Sequence, residues 1–333
     1  MPGRQAGRCS LAPVPAGASP SVVVRVRGGA VTGRHRSVTA SGSYRSGARD
    51  SFQNPCHSNT MQADWDTRLA MGVEYDGSDF RGWQVQGEVR TVQACLEEAI
   101  ARVADHPVTV HCAGRTDAGV HALEQVIHFD TRARRRERSW VLGTNVNLSS
   151  DVRVRWAQPV DRGFHARFSA TARHYRYLIL TRDTGSALLR DRVAWFHHAL
   201  DRDRMREAAR ALVGEHDFTS FRAIACQARH AVRCIHYLEV DGEGSLCEIR
   251  VGANGFLHHM VRNIAGVLMA IGRGDRPVSW AAEVLAARDR TSGGVTAPPE
   301  GLYFVRVDYP PHFDLPQAAP MSLTLGYLGA VTL

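Results

Sequence analysis

With 333 residues, 44% of them hydrophobic and 22% charged, the chain has the make-up of a globular protein with room for two cores, and no apolar run approaches the roughly 18 residues that a membrane span requires. Its seven cysteines are odd in number, scattered and never spaced Cys-x-x-Cys, which argues against a disulfide framework or a zinc site and for reduced thiols in a cytoplasmic setting. Of the net charge of +8, residues 1–60 supply +7 through eight arginines against the lone acid Asp50, so residues 61–333 carry only +1 and total charge alone lends little support to nucleic-acid binding.

Residues 1–60 are rich in Gly, Ser, Ala, Pro and Arg and contain one short apolar run, Val22-Val23-Val24. That composition buries too little surface to offset the entropy of ordering, and predicts a disordered extension. A start assigned too far upstream is the alternative, because Met61 directly precedes the first patterned element. From there Leu69, Met71, Val73 and Tyr75 alternate with other residues as a strand that ends at the turn pair Asp76-Gly77. Phe80-Arg81-Gly82-Trp83-Gln84-Val85-Gln86 reads as a packed surface loop. Thr91 then precedes an amphipathic helix with Val92, Leu96, Ala99, Ile100 and Val103 on one face. After Pro107, the alternation of Val108, Val110 and Cys112 predicts a second strand, and Glu124 to Phe129 a third. Between them lies Gly114-Arg115-Thr116-Asp117-Ala118-Gly119, a loop that presents a carboxylate between glycines. Taken alone, it is equally a tight turn in which Asp117 bonds its own backbone.

The run Arg132 to Arg138 is either a solvated face or a phosphate-contacting patch. Asn145 to Leu148 and Phe164 to Ala170 read as the crossing between halves. A strand from His174 to Thr181 opens the second half. It is followed by a helix with Met205, Ala208, Ala209 and Leu212 that Gly214 closes, then by strands at Ile235–Val240 and Cys247–Val251. An apolar helix from Phe256 to Ile271 carries the stripe Phe256, Met260, Ile264, Val267 and Ile271, and Gly301 to Tyr309 alternates as a last strand. The β-α-β-β order thus occurs twice. It predicts an α+β fold of two ferredoxin- or RRM-like halves, 64–165 and 166–315, whose mainly antiparallel sheets join around a central cleft, with a tail over 316–333.

No Walker A, dinucleotide loop, His-Glu-x-x-His or Gly-x-Ser-x-Gly motif is present, so neither metal nor cofactor is expected. His258 and His259, adjacent on the predicted helix, should point apart and make poor joint ligands. Arg262 in the middle of that apolar helix needs a carboxylate partner unless it faces the surface, since a buried unpaired guanidinium is costly. Asp117 is the candidate.

Ala113 to His121, together with Tyr75-Asp76-Gly77-Ser78, Gly82-Trp83-Gln84, Phe164 to Arg173, Tyr175-Arg176-Tyr177, Asp217 to Arg222 and His258 to Asn263, resembles the bacterial tRNA pseudouridine synthase A family in order over roughly 69–315. The resemblance implies isomerisation of uridine to pseudouridine at positions 38, 39 and 40 of the tRNA anticodon arm, without metal or cofactor, by a homodimer. It implies Asp117 as the nucleophile, acting at C1′ of the ribose, at C6 of uracil or through a glycal. Arg262 would keep Asp117 charged once a base closes the pocket, because burial disfavours a carboxylate's charge and a nearby guanidinium favours it. Tyr175 would stack on the uracil and relay its C5 proton, the alternative being a strand tyrosine packed in the core, and Arg115 would contact the flipped nucleotide, a phosphate or its own loop. A non-catalytic RNA-binding module and a nucleoside glycosidase are the competing functions. Small departures from the pattern fall at Gly255 and Phe80, away from this chemistry.

Overall fold

The computed structural model describes residues 67–224, 226 and 228–316. The predicted extension over 1–60 and the tail beyond Pro316 lie outside the described residues. In chain order the elements are β1 (Thr67–Tyr75), α1 (Val92–Ala104), β2 (His111–Cys112), β3 (His121–Thr131), α2 (Glu137–Asn147), β4 (Val152–Val160) and β5 (Ala172–Thr181). They continue with β6 (Ala194–Phe196), α3 (Arg202–Ala209), β7 (Gly214–Asp217), β8 (Val232–Asp241), β9 (Leu246–Ala253), α4 (Met260–Arg273), α5 (Trp280–Ala287) and β10 (Leu302–Asp308). The β-α-β-β order shows as β1-α1-β2-β3 and, with the short β6 and β7 inserted, as β5-α3-β8-β9. No described helix is long and apolar enough to cross a membrane.

All the described strands form one mixed, mainly antiparallel sheet in the order β4-β1-β3-β10-β5-β9-β8-β7, with β2 on β3 and β6 on β5. The join is β10, the last strand among the described residues. It runs parallel to β3 through Tyr303↔His121 and Phe304↔Ala122 and antiparallel to β5 from Leu302↔Tyr177 to Asp308↔Ala172. Leu302, Tyr303 and Phe304 are buried in succession, as they must be in a strand covered on both faces. β3 shows the same signature, buried at every residue from His121 to Phe129.

Local chemistry accounts for the ends that matter to the site. Thr91 caps α1 by accepting from the Ala94 N–H at 3.4 Å, and Val92, Leu96, Ala99 and Ile100 are buried as the periodicity requires. The strand predicted across Val108–Cys112 shortens to His111–Cys112. The helix predicted from Phe256 begins at Met260, because His259 takes φ 62°, a left-handed conformation that a helix cannot include. At its other end Gly274 turns left-handed, φ 91°, and closes α4 on the carbonyls of Ala270 and Ile271. The helices α2 and α5 and the strand β4 were not predicted. α2 buries only Trp140 and Thr144, too sparse a pattern to read against its polar neighbours.

Candidate active site at the joint between the two halves

The loop between β2 and β3 is held by the sheet and by the loop after β1. From the sheet, the buried Gln125 clamps Gly114, accepting from its N–H at 3.2 Å and donating to its carbonyl at 2.5 Å. Ala113 donates to the Val126 carbonyl (2.8 Å), and the Tyr75 hydroxyl and Thr116 Oγ1 share a hydrogen bond of 2.7 Å. From the loop after β1, Trp83 donates to the Thr116 carbonyl at 3.0 Å, and Gly119 donates to that of Phe80 at 3.4 Å. Gly82 must be glycine here: its φ is +95° and a Cβ would stand 3.0 Å from the Thr116 oxygen. The aromatic pair Phe80 and Trp83, read as a surface loop, is thus a buried brace for the Asp117 loop. The loop itself closes by Val120 N–H to Asp117 O at 3.2 Å with Gly119 at φ +78°, the positive angle that a type II turn places at its third residue.

The turn therefore exists, and it points the Asp117 side chain outward instead of folding it onto its own backbone. Arg262 of α4 donates from Nη1 to Asp117 Oδ2 at 3.0 Å and from Nε to the Ala297 carbonyl at 2.8 Å. Their side chains are only 14% and 21% exposed. The carboxylate that the apolar helix called for is Asp117, contributed across 145 residues of sequence. Arg262 is fixed in turn because the 293–297 segment lies against α4. The Ala297 N–H donates to the Arg262 carbonyl (3.1 Å), and Gly266 leaves room for the Val295 carbonyl. Asn263 anchors the same segment, with its Oδ1 accepting from Thr296 (2.7 Å) and Arg290 (3.1 Å) and its amide donating to the Phe221 carbonyl (2.7 Å).

Tyr175, on β5, lies between Phe304 and Phe256, edge-on to both with ring centroids 4.9 and 5.0 Å away. A Cβ on Gly114 would lie 3.6 Å from its hydroxyl, which places the phenol beside the Asp117 loop. Burial pushes the Tyr175 hydroxyl well above the ordinary phenol range, helped by the nearby negative charge of Asp117. Arg115 is exposed at the rim and has no hydrogen-bond or ion-pair partner among the described residues. Arg173 reaches under the loop to the Ala113 carbonyl (3.4 Å) and also holds the carbonyls of Ala170 and Asn254.

One expectation is corrected. His258 and His259 do not point apart. They precede α4, and the left-handed His259 turns the two rings together, 4.0 Å between centroids. His258 Nε2 lies 3.3 Å from Asp117 Oδ1 and His259 Nε2 3.4 Å from Oδ2. Asp117, His258 and His259 form the one cluster among the described residues whose donors could hold a metal ion. Burial lowers the basicity of His259 despite the nearby Asp117 charge. Sequence periodicity could not find this pair, because it assumed a helix where the chain makes a turn. Gln125, Asn263 and Arg290 were missed as well, though Asn263 adjoins Arg262 in the resemblance motif.

The Arg132 to Arg138 run lies elsewhere. Arg134, Arg135 and Arg136 line an open groove of about 390 Å³ with Thr67, Leu69 and Trp140. That is the far end of β1 from Tyr75, roughly 26 Å along the strand at about 3.3 Å per residue.

A family model described as tRNA pseudouridine synthase matches residues 71–169 and 208–310. A curated relative from Nitrosococcus oceani, named tRNA pseudouridine synthase A, is 62% identical over 250 residues, covering 75% of this chain and 96% of the relative. Relatives of the same name from Methylococcus capsulatus (58% over 252 residues, 76% and 93% covered) and Pseudomonas aeruginosa (56% over 252 residues, 75% and 88% covered) are similar over comparable lengths.

Proposed function

The chain belongs to the tRNA pseudouridine synthase family, and on that premise we propose that Asp117 is the nucleophile with which it isomerises uridine in the anticodon arm of tRNA. It is an enzyme that converts uridine of tRNA to pseudouridine. The family assignment sets aside the binding-module and glycosidase readings. The observation that carries the proposal is the Asp117 carboxylate, seated at the joint of the two halves and bonded to Arg262 at 3.0 Å.

The reaction breaks the N1–C1′ bond, turns the uracil in place and joins C5 to C1′. The C5 proton is lost and N1 gains one, so the product is an isomer of the substrate. Attack by the carboxylate at C1′, attack at C6, and abstraction of a ribose proton to give a glycal all begin with the Asp117 carboxylate. Arg262 serves each of them. When a base covers the loop and removes water, the guanidinium still favours the charged carboxylate, and its bond to Ala297 keeps it in place to do so. Tyr175 presents a ring for the uracil, and its hydroxyl, kept neutral by burial, can relay the C5 proton only by passing on its own proton as it takes that one up. Arg115, free at the rim, meets the flipped nucleotide or its phosphate. Extracting the uridine from its stack costs a few kcal/mol, which contacts to the arm must return. The exposed Arg134 to Arg136 groove is one surface for such contacts. A second subunit completes the grip on the arm, and light scattering of the protein at assay concentration reads that assembly as twice the chain mass.

The test incubates unmodified tRNA with wild type and with Asp117→Asn and maps pseudouridine position by position. Wild type should modify the anticodon arm, and the variant should bind the same tRNA without turnover. Product elsewhere in the tRNA would overturn the anticodon assignment.

A further inference from the structure

The spacing of the two imidazoles around Asp117 is unlike that of hydrogen-bonded partners. Charge-assisted N–H to carboxylate contacts run at about 2.7–2.9 Å, whereas His258 Nε2 and His259 Nε2 stand 3.3 and 3.4 Å from the carboxylate oxygens. The His258 Nε2 to Oδ1 length fits a different geometry. With zinc bonds to nitrogen and oxygen of about 2.0–2.1 Å, the edge of a tetrahedron is about 3.3–3.4 Å. One donor atom from each of the three residues lies within 4.8 Å of the other two. Two histidines and one carboxylate are a donor set that suits zinc and its neighbours, and disfavours the hard magnesium ion, which prefers oxygen and keeps its water. The donors are reachable, since the side chains of His258, His259 and Asp117 are 45%, 30% and 21% exposed. Arg262 occupies Oδ2 and leaves Oδ1 as the ligand, its bond acting as the outer contact that orients a ligating carboxylate.

We propose that Asp117 Oδ1, His258 Nε2 and His259 Nε2 form a binding site for a divalent transition-metal ion of the zinc or cobalt class, and that its occupancy takes the carboxylate out of the reaction. The site is an inhibitory one: the bound ion sits where the uridine must enter. This second part rests on Asp117 being the nucleophile, whereas the binding itself does not.

The experiment titrates the full chain with cobalt(II) chloride and reads bound ion by ligand-field absorption and by equilibrium dialysis, for wild type, Asp117→Ala, His258→Gln and the His258→Gln/His259→Gln double variant. Circular dichroism checks that each is folded. Loss of an outer contact alone weakens metal sites by about 10–100-fold, so removing a direct ligand should weaken this site by at least about tenfold. The double variant and Asp117→Ala should bind one ion fewer than wild type. Equal binding by all four proteins, or no tetrahedral absorption from wild type, would overturn the site. In parallel, zinc chloride should arrest pseudouridine formation by wild type, and a chelator should restore it. An ion that binds through these three residues and leaves turnover unchanged would uphold the site and overturn the role given to Asp117.

Discussion

Arg262 divides its guanidinium between the Ala297 carbonyl and Asp117, a geometry that only a planar fork with separate Nε and Nη donors can satisfy. Arg262→Lys keeps the charge and loses one of the two bonds. Turnover should fall by about 10²–10³-fold, the range for losing a group aimed at developing charge, with a much smaller change in KM, as single-turnover kinetics would show. Tyr175 gives an opposite signature. Its ring makes the packing contacts, with Phe304 and Phe256, so Tyr175→Phe should change stability by no more than about 1 kcal/mol, while its turnover drops. Loss of stability together with activity would instead mark the hydroxyl as structural. At this scale the sequence was legible where burial forces a pairing: a guanidinium in an apolar helix requires a carboxylate, and Asp117 supplies it. It was not legible at His259, because a left-handed backbone at a residue other than glycine leaves no mark in composition or period.

Helix α4 and the 293–297 segment act as a single positioning device. A Cβ on Gly266 would stand 1.9 Å from the Val295 carbonyl, so Gly266→Ala must push that segment away from α4. The expected result is a loss of about 1–3 kcal/mol, as for overpacking elsewhere. Turnover should also fall, because the Ala297 carbonyl that fixes Arg262 moves with the segment. Urea unfolding and turnover of the same preparation check both. Elements with strong period were readable: β1, β5, β9 and α1 lie where alternation or the apolar stripe put them. Elements without it were not, and α2 and α5 bury two residues each. The brace of Phe80, Gly82 and Trp83 was visible as a motif but not as a support, since its partners are backbone atoms of a loop distant in sequence.

The whole molecule depends on one late strand. β10 links β3, through two parallel pairs, to β5, through an antiparallel ladder, and no local pattern announces that the last described strand lies in the centre of its sheet. The same burial leaves a pH signature. Burial lowers the pKa of His121, His128 and His174, that of His128 to about 3, and His128 Nδ1 accepts from the Ala166 N–H, a bond its protonation would break. The unfolded chain gains these protons near pH 6.5 and the folded one only below it, so the native state binds fewer. Stability is therefore full above about pH 6.5 and declines as pH falls through 5 and 4, by up to about 1.4 kcal/mol per pH unit for each such group. His128→Gln should remove one group's share of that slope in urea unfolding, and an unchanged slope would show that His128 is not held neutral. All of this architecture converges on one carboxylate. The most direct measurement maps pseudouridine in unmodified tRNA treated with wild type or with Asp117→Asn at equal tRNA occupancy. Modification of the anticodon arm by wild type, with none by the variant, is the predicted result, and anticodon-arm pseudouridine formed by Asp117→Asn at the wild-type rate would contradict it.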